Sequence, residues 1–122
     1  MDKRILVVDD SRTMRHMLTI TLDSIGFNVV EAEDGVDGLS KARDDKFDLI
    51  ITDINMPNMD GYELLKCLRL EKSYQFTPII VITTENSPTT KKRGKEAGAT
   101  GWIVKPFEPD KLEATIKRLL SN

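Results

Sequence analysis

Cysteine is nearly absent from this sequence. Cys67 is the single one among 122 residues, so no disulfide can form within the chain. The apolar runs are short, and the first of them, Ile5 to Val8, is too short for the apolar region of a signal peptide or for a membrane span. Acidic and basic residues nearly cancel, at a formal net charge of -2, so no global field favours nucleic acid or a membrane as partner. We therefore expect one monomeric domain over residues 1–122, in a reducing cytoplasm, with no nucleic-acid or membrane partner.

What the chain does have is a regular alternation of short apolar runs and segments with helical spacing. The predicted strands are Ile5–Val8, Asn28–Ala32, Leu49–Ile51, Ile79–Ile82 and Trp102–Val104. The first predicted helix carries Met14, Met17, Leu18, Leu22 and Ile25 and ends at Gly26, and the second carries Val36, Leu39 and Ala42. The third and fourth span residues 61–71 and 88–97, and the last begins at Pro109. Asp10 or Ser11 is expected to cap the first helix, and Asp34-Gly35 is expected to form a turn. Five strands alternating with five helices predict an α/β fold, with a parallel sheet between two layers of helices.

Polar side chains follow the apolar runs directly. Asp53 comes just after the run Leu49–Ile51, and Pro57 soon prevents further strand or helix. Three other predicted strands likewise end in polar groups, which are Asp9 and Asp10, Thr83 and Thr84, and Lys105. Because the carboxyl ends of parallel strands lie on one edge of the sheet, we expect all these groups to meet there around Asp53.

Three carboxylates at one point repel each other, and each resists ionisation unless a cation is near. Lys105 supplies one positive charge, and the remaining deficit with all-oxygen ligands predicts Mg²⁺. The ion would take Asp10 and Asp53 directly and Asp9 through water. Such a site suits a phosphoryl group, and Asp53 is the candidate nucleophile that would form an acyl phosphate.

Other interpretations compete with this one. Each of these side chains taken alone is more simply a cap or a turn former, although that account fits the whole set poorly. A calcium loop starting at Asp53 fails, because Pro57, Asn58 and Leu64 stand where it needs an acid or amide, a glycine and a glutamate. The sequence has no glycine-rich phosphate fingerprint. An aspartyl-phosphate hydrolase would want a general acid two residues after Asp53, and Asn55 cannot serve as one.

Four motifs together resemble the response-regulator receiver family along the whole chain. They are Val-Asp-Asp-Ser at 8–11, Thr-Asp-Ile-Asn-Met-Pro-Asn-Met-Asp-Gly at 52–61, Ile-Thr-Thr at 82–84 and Ile-Val-Lys-Pro at 103–106. The resemblance implies a flavodoxin-like (βα)5 fold with strand order 2-1-3-4-5. It also implies that Asp53 accepts a phosphoryl group from a sensor-kinase phosphohistidine, and that Lys105 and Thr83 contact the phosphoryl oxygens. In addition it implies a cis Lys105–Pro106 peptide, and Mg²⁺, or Mn²⁺ in its place, held by Asp9, Asp10, Asp53 and the backbone carbonyl of Asn55.

The resemblance also implies a switch. The hydroxyl of Thr83 would move toward the phosphoryl group and an aromatic residue, here Trp102, would turn inward and reshape the face of the fourth helix, fifth strand and fifth helix. The family more often has Tyr or Phe at this position, and packing alone is the competing account of Trp102. Thr84 stands where the family prefers Ala or Gly and is expected to narrow access to Asp53. Asn55 and Glu85 occupy the positions that tune hydrolysis, which favours a phosphorylated lifetime of seconds to minutes.

The expected role is a signalling protein rather than a classical enzyme. We expect a stand-alone regulator of chemotaxis, phosphorylated by a histidine kinase, bound to the flagellar motor switch and reset by its own hydrolysis or by a phosphatase. The alternative is a receiver in another phosphorelay or one that controls a separate enzyme, and an aspartyl-phosphate phosphatase is the enzyme alternative. A basic run on the fourth helix is either a solvated face or a docking surface for an acidic partner, and it consists of Lys91, Lys92, Arg93 and Lys95.

Overall fold

A computed structural model describes residues 3–121 of the chain. Its strands are β1 (Arg4–Val8), β2 (Asn28–Ala32), β3 (Leu49–Thr52), β4 (Ile79–Thr83) and β5 (Gly101–Val104). Its helices are α1 (Arg12–Ile25), α2 (Gly35–Asp44), α3 (Gly61–Leu70), α4 (Pro88–Ala97) and α5 (Pro109–Leu120), with a 3-10 turn at Lys72–Tyr74. The predicted alternation of strands and helices is confirmed.

The five strands form one parallel sheet in the order β2-β1-β3-β4-β5, as the family resemblance implied. The central strand β3 is buried on both faces, which is why it reads as a continuous apolar run. Side chains on one face of the sheet pack with α1 and α5, and those on the other face pack with α2, α3 and α4. The fold therefore has three layers, and the loops after the strands collect at one edge.

Local sequence signals set most helix ends. The hydroxyl of Ser11 accepts a hydrogen bond from the amide of Met14 and caps α1, and Gly26 ends that helix in the left-handed conformation at a φ of 109°. Asp60 and Glu63 form a reciprocal capping box at the start of α3. Ser11 and Asp60 thus set where α1 and α3 begin after β1 and β3.

One expectation is wrong in detail. Asp34-Gly35 is not a free turn, because Asp34 caps α2 by accepting a hydrogen bond from the amide of Asp37, and Gly35 is already helical. Met17 lies in α1 as predicted, with half of its surface exposed, whereas Leu18 and Leu22 are buried. The Lys105–Pro106 peptide is cis, as expected. Within residues 3–121, no helix is long and apolar enough to cross a bilayer.

Candidate functional site

The sheet register brings the polar groups that follow β1 and β3 side by side. Val8 of β1 lies opposite Thr52 of β3, so Asp9 and Asp53, the next residue of each chain segment, emerge together. Thr83 is the last residue of β4 and lies opposite Val104, directly before Lys105. The predicted meeting of these side chains at one edge of the sheet is therefore confirmed for the groups from all four strands.

Lys105 joins two buried carboxylates. Its ammonium Nζ lies 2.7 Å from Oδ2 of Asp53 and 3.0 Å from Oδ2 of Asp9. The remaining oxygen of each carboxylate accepts a backbone hydrogen bond, from the amide of Ile54 to Asp53 at 2.6 Å and from the amide of Ser11 to Asp9 at 2.9 Å. Both carboxylates are thus held in single orientations by one shared cation and one amide each.

Burial and charge shift the acid–base behaviour of this group. Burial raises the pKa of Asp9, and the hydrogen bonds from Ser11 and Lys105 offset this only in part. Burial also lowers the pKa of Lys105, but the hydrogen bonds to Asp53 and Asp9 outweigh it, so the pKa of Lys105 lies above its ordinary value. The lysine therefore stays charged, whereas the hydrogen bonds to Asp9 do not fully offset the cost of burying its negative charge.

Asp10 completes a cluster of three carboxylates. Oxygen atoms of Asp9, Asp10 and Asp53 lie within 4.8 Å of one another, and Asp10 is exposed whereas the other two are buried. Three negative charges against the one ammonium of Lys105 leave an excess that a divalent cation can neutralise. A site made of oxygen donors and open to water on the Asp10 side fits a hard cation such as Mg²⁺.

The backbone of Glu85 connects Thr83 to Trp102. The amide of Glu85 donates to the Thr83 hydroxyl at 3.4 Å, and the indole Nε1–H of Trp102 donates to the Glu85 carbonyl at 3.1 Å. The Trp102 ring lies against Gly94 of α4, where a Cβ atom would clash with a ring carbon. Thr83 is buried and Trp102 is half-buried. The indole is thus pinned between α4 and the loop after β4.

The other sequence-predicted residues are exposed or half-buried. Thr84 and Asn55 are exposed, and Glu85 is half-buried. All members of the basic run on α4 are exposed, and the guanidinium of Arg93 lies 3.9 Å from the ring centre of Tyr62. Solvent exposure of this run is confirmed, and its docking role stays a prediction.

Sequence reasoning missed several residues that support the site. Asn58, at a φ of 69°, donates from its side-chain amide to Oδ2 of Asp34 at 2.7 Å, and so ties the loop after β3 to the start of α2. Arg15 of α1 donates to the backbone carbonyl of Asp9 at 2.7 Å and pairs with Glu31 of β2 at 3.0 Å. A carboxylate inside an apolar strand is a signal that could have drawn attention to Glu31, whereas no local signal indicates the role of Asn58.

Comparison with known proteins decides the family. The model of the response regulator receiver domain matches residues 5–117. The chain belongs to the response regulator receiver family. A receiver domain is a signalling regulator.

Named relatives agree with this assignment. The chain is 44% identical over 123 residues to a chemotaxis protein CheY homolog of Campylobacter jejuni, covering 98% of this chain and 93% of the relative. It is 48% identical to the solved chemotaxis protein CheY4 of Vibrio cholerae, at a TM-score of 0.94, over 98% of this chain and all of that one (100%). A putative response regulator of Chloroflexus aurantiacus superposes with a TM-score of 0.95 at 33% identity, over 100% of both chains. The receiver domain is thus homologous to CheY.

Proposed function

We propose that Asp53 is the phosphoacceptor of this receiver domain. One oxygen of its carboxylate attacks the phosphorus of a phosphohistidine on a sensor kinase, the P–N bond breaks, and the electron pair stays on the imidazole nitrogen. The observation that carries the proposal is the contact between Asp53 and Lys105, at 2.7 Å, beside two further carboxylates. This arrangement gives one nucleophile a fixed orientation and a neighbouring cation.

Lys105 and Thr83 are the groups proposed to receive the phosphoryl oxygens. The Nζ of Lys105 already donates to Oδ2 of Asp53, so it can shift a hydrogen bond to an oxygen of the incoming group with little movement. Among residues 3–121, the Thr83 hydroxyl takes part in one hydrogen bond, which it accepts from the amide of Glu85 at 3.4 Å. Because the hydroxyl is the acceptor there, it can donate its proton to the phosphoryl group.

Asp9, Asp10, Asp53 and the backbone carbonyl of Asn55 are the proposed ligands of Mg²⁺, with Mn²⁺ as a substitute. When bound, the ion would neutralise the charge of the phosphoryl group during transfer. The support is the donor set, in which three carboxylates have oxygens within 4.8 Å of one another and two of them contact Lys105.

Phosphorylation is proposed to act on the face made by α4, β5 and α5. Movement of Thr83 toward the phosphoryl group would break its contact with Glu85 and so disturb the carbonyl that holds the Trp102 indole. The proposed partners are a chemotaxis histidine kinase and a flagellar motor switch protein, because relatives at 44% and 48% identity are chemotaxis proteins. Asn55, Thr84 and Glu85 are proposed to set the lifetime of the phosphorylated form, at seconds to minutes.

Intact mass measured after incubation with Mg²⁺ and acetyl phosphate tests the phosphoacceptor. We expect one phosphoryl group on the wild type, none on Asp53→Asn, and one on the control Asp44→Asn, which changes an exposed acid at the end of α2. An adduct on Asp53→Asn, or none on the wild type with either acetyl phosphate or a histidine kinase, would contradict the proposal.

A second measurement tests the pathway. A peptide from a flagellar motor switch protein should bind the phosphorylated wild type and not the Asp53→Asn variant. Transfer of the phosphoryl group to a histidine phosphotransfer protein, without binding of the motor peptide, would move the protein to another phosphorelay.

A further inference from the structure

Arg15 contacts the peptide that joins the two acids after β1. Its Nη1 donates to the carbonyl oxygen of Asp9 at 2.7 Å, and this carbonyl belongs to the peptide group between Asp9 and Asp10. Within residues 3–121, no backbone amide donates to that oxygen, since β1 has already ended and α1 has not begun. The guanidinium therefore replaces the partner that a strand or a helix would have supplied.

Glu31 holds Arg15 in place. Its Oε1 accepts from Nε of Arg15 at 3.0 Å, and the side chain of Arg15 is only 15% exposed. The register of β1 and β2 places Glu31 opposite Val7, two residues before Asp9. The pair therefore spans α1 and β2 directly beside the acidic cluster, although neither side chain belongs to that cluster.

Electrostatics alone predicts that Arg15 opposes the binding of a cation at the acidic cluster. A positive charge next to three carboxylates weakens the binding of a divalent cation, because like charges repel. Glu31 offsets this charge, and the hydrogen bond to the Asp9 carbonyl gives the guanidinium a structural effect on the peptide between the acids. The orientation of that peptide decides where the side chains of Asp9 and Asp10 point.

We propose that Arg15, oriented by Glu31, is a positioning residue that sets the affinity of the acidic cluster for a divalent cation by fixing the Asp9–Asp10 peptide. The inference rests on the proposed function, in which Asp9 and Asp10 hold Mg²⁺. Residues that orient metal ligands without touching the metal typically change affinity by about 10- to 100-fold when they are replaced.

The test is the dissociation constant for Mg²⁺, measured by titration calorimetry on the unphosphorylated protein. The double variant Arg15→Met/Glu31→Gln removes the pair and leaves the net charge unchanged. We expect its dissociation constant to rise by roughly 10-fold. The matched control is Arg43→Met/Glu71→Gln, which removes a pair of the same residue types that is 3.4 Å apart and outside the cluster. Its dissociation constant should equal that of the wild type.

Single variants separate position from charge. Arg15→Met alone removes a positive charge, so a purely electrostatic role predicts tighter binding of Mg²⁺, whereas a positioning role predicts weaker binding. Arg15→Lys keeps the positive charge and one donor nitrogen. Its dissociation constant for Mg²⁺ should lie between those of the wild type and of Arg15→Met. This milder variant carries the test if the methionine variant does not fold.

Each result has one meaning. Tighter binding by Arg15→Met, or a wild-type constant in both the double and the lysine variants, overturns the positioning role of Arg15. If the double variant unfolds in less urea but binds Mg²⁺ normally, the pair only stabilises the fold and the inference is wrong. Absence of saturable Mg²⁺ binding by the wild type would overturn the proposed metal site as well, and so marks a failure of the proposed function.

Discussion

Asp34 joins two separate parts of the chain through one carboxylate. One oxygen accepts the amide of Asp37 and caps α2, and the other accepts the side-chain amide of Asn58 in the loop after β3. These two hydrogen bonds, the amide of Asp37 first, hold the pKa of Asp34 below its ordinary value. A single side chain thus supports both the start of α2 and the loop that follows Asp53.

Replacing Asp34 by alanine should lower the free energy of unfolding by about 2 kcal/mol, from the lost cap and the lost contact with Asn58. Because the folded-state pKa is lowered, this contribution is complete at pH values above the unfolded-state pKa of about 3.9, and is lost as the pH falls through the folded-state pKa. Urea unfolding at pH 7 and at pH 3 measures this. A difference between wild type and variant that stays constant between the two pH values would contradict the assignment.

At the scale of secondary-structure elements, α4 is shaped to receive Trp102. A glycine in the middle of a helix is costly, and Gly94 stands where any side chain would meet the indole ring. The helix thereby lies close to β5, and the indole N–H reaches the carbonyl of Glu85. Packing and switching are therefore compatible accounts of Trp102, because the ring packs against Gly94 while its N–H ties it to the loop after β4.

The variant Gly94→Ala distinguishes this packing from ordinary helix propensity. Propensity alone predicts stabilisation by up to about 1 kcal/mol. The close approach of the Trp102 ring predicts the opposite sign, with a red-shifted tryptophan emission as the indole moves into water. Urea unfolding and fluorescence of the same samples measure both effects. A stabilised variant with unchanged emission would mean that the ring does not occupy this position in solution.

At the scale of the whole molecule, Arg69 of α3 joins several segments that are distant in the sequence. Its guanidinium donates to the carbonyls of Gly98, Tyr74 and Thr77 at 2.6 to 3.0 Å, and to the hydroxyl of Thr100 at 3.3 Å. Gly98 directly follows α4, and Tyr74 belongs to the 3-10 turn. Thr77 and Thr100 lie just before β4 and β5. One side chain therefore ties α3 to both segments that flank β4.

Arg69→Met should lower the free energy of unfolding by roughly 3 kcal/mol, because charged hydrogen bonds to several carbonyls are lost together. The control is Arg43→Met, which removes an exposed ion pair and should cost at most about 1 kcal/mol. Urea unfolding compares the two. Equal losses would show that the carbonyls around Arg69 are satisfied by water once the guanidinium is gone.

The sequence predicted the order of elements and the edge at which the polar groups meet, because short apolar runs and glycine stops such as Gly26 are local signals. It did not predict the contacts of Arg15 with Glu31, of Asp34 with Asn58 or of Arg69 with Gly98. Each of these joins residues that are 16, 24 or 29 positions apart in the sequence. Such contacts depend on how helices lie on the sheet, which periodicity does not specify.

The spacing of the site along the chain has a thermodynamic consequence. Lys105 reaches back across 96 residues to Asp9 and across 52 to Asp53, so the acidic cluster exists only when almost the entire chain is folded. An ion that binds this cluster binds the native state and has no counterpart in the unfolded one. Occupancy of the site and global stability are thus linked equilibria, and Mg²⁺ at 100 times its dissociation constant should stabilise the fold by about 2.7 kcal/mol. The melting curve of the protein then serves as a binding isotherm.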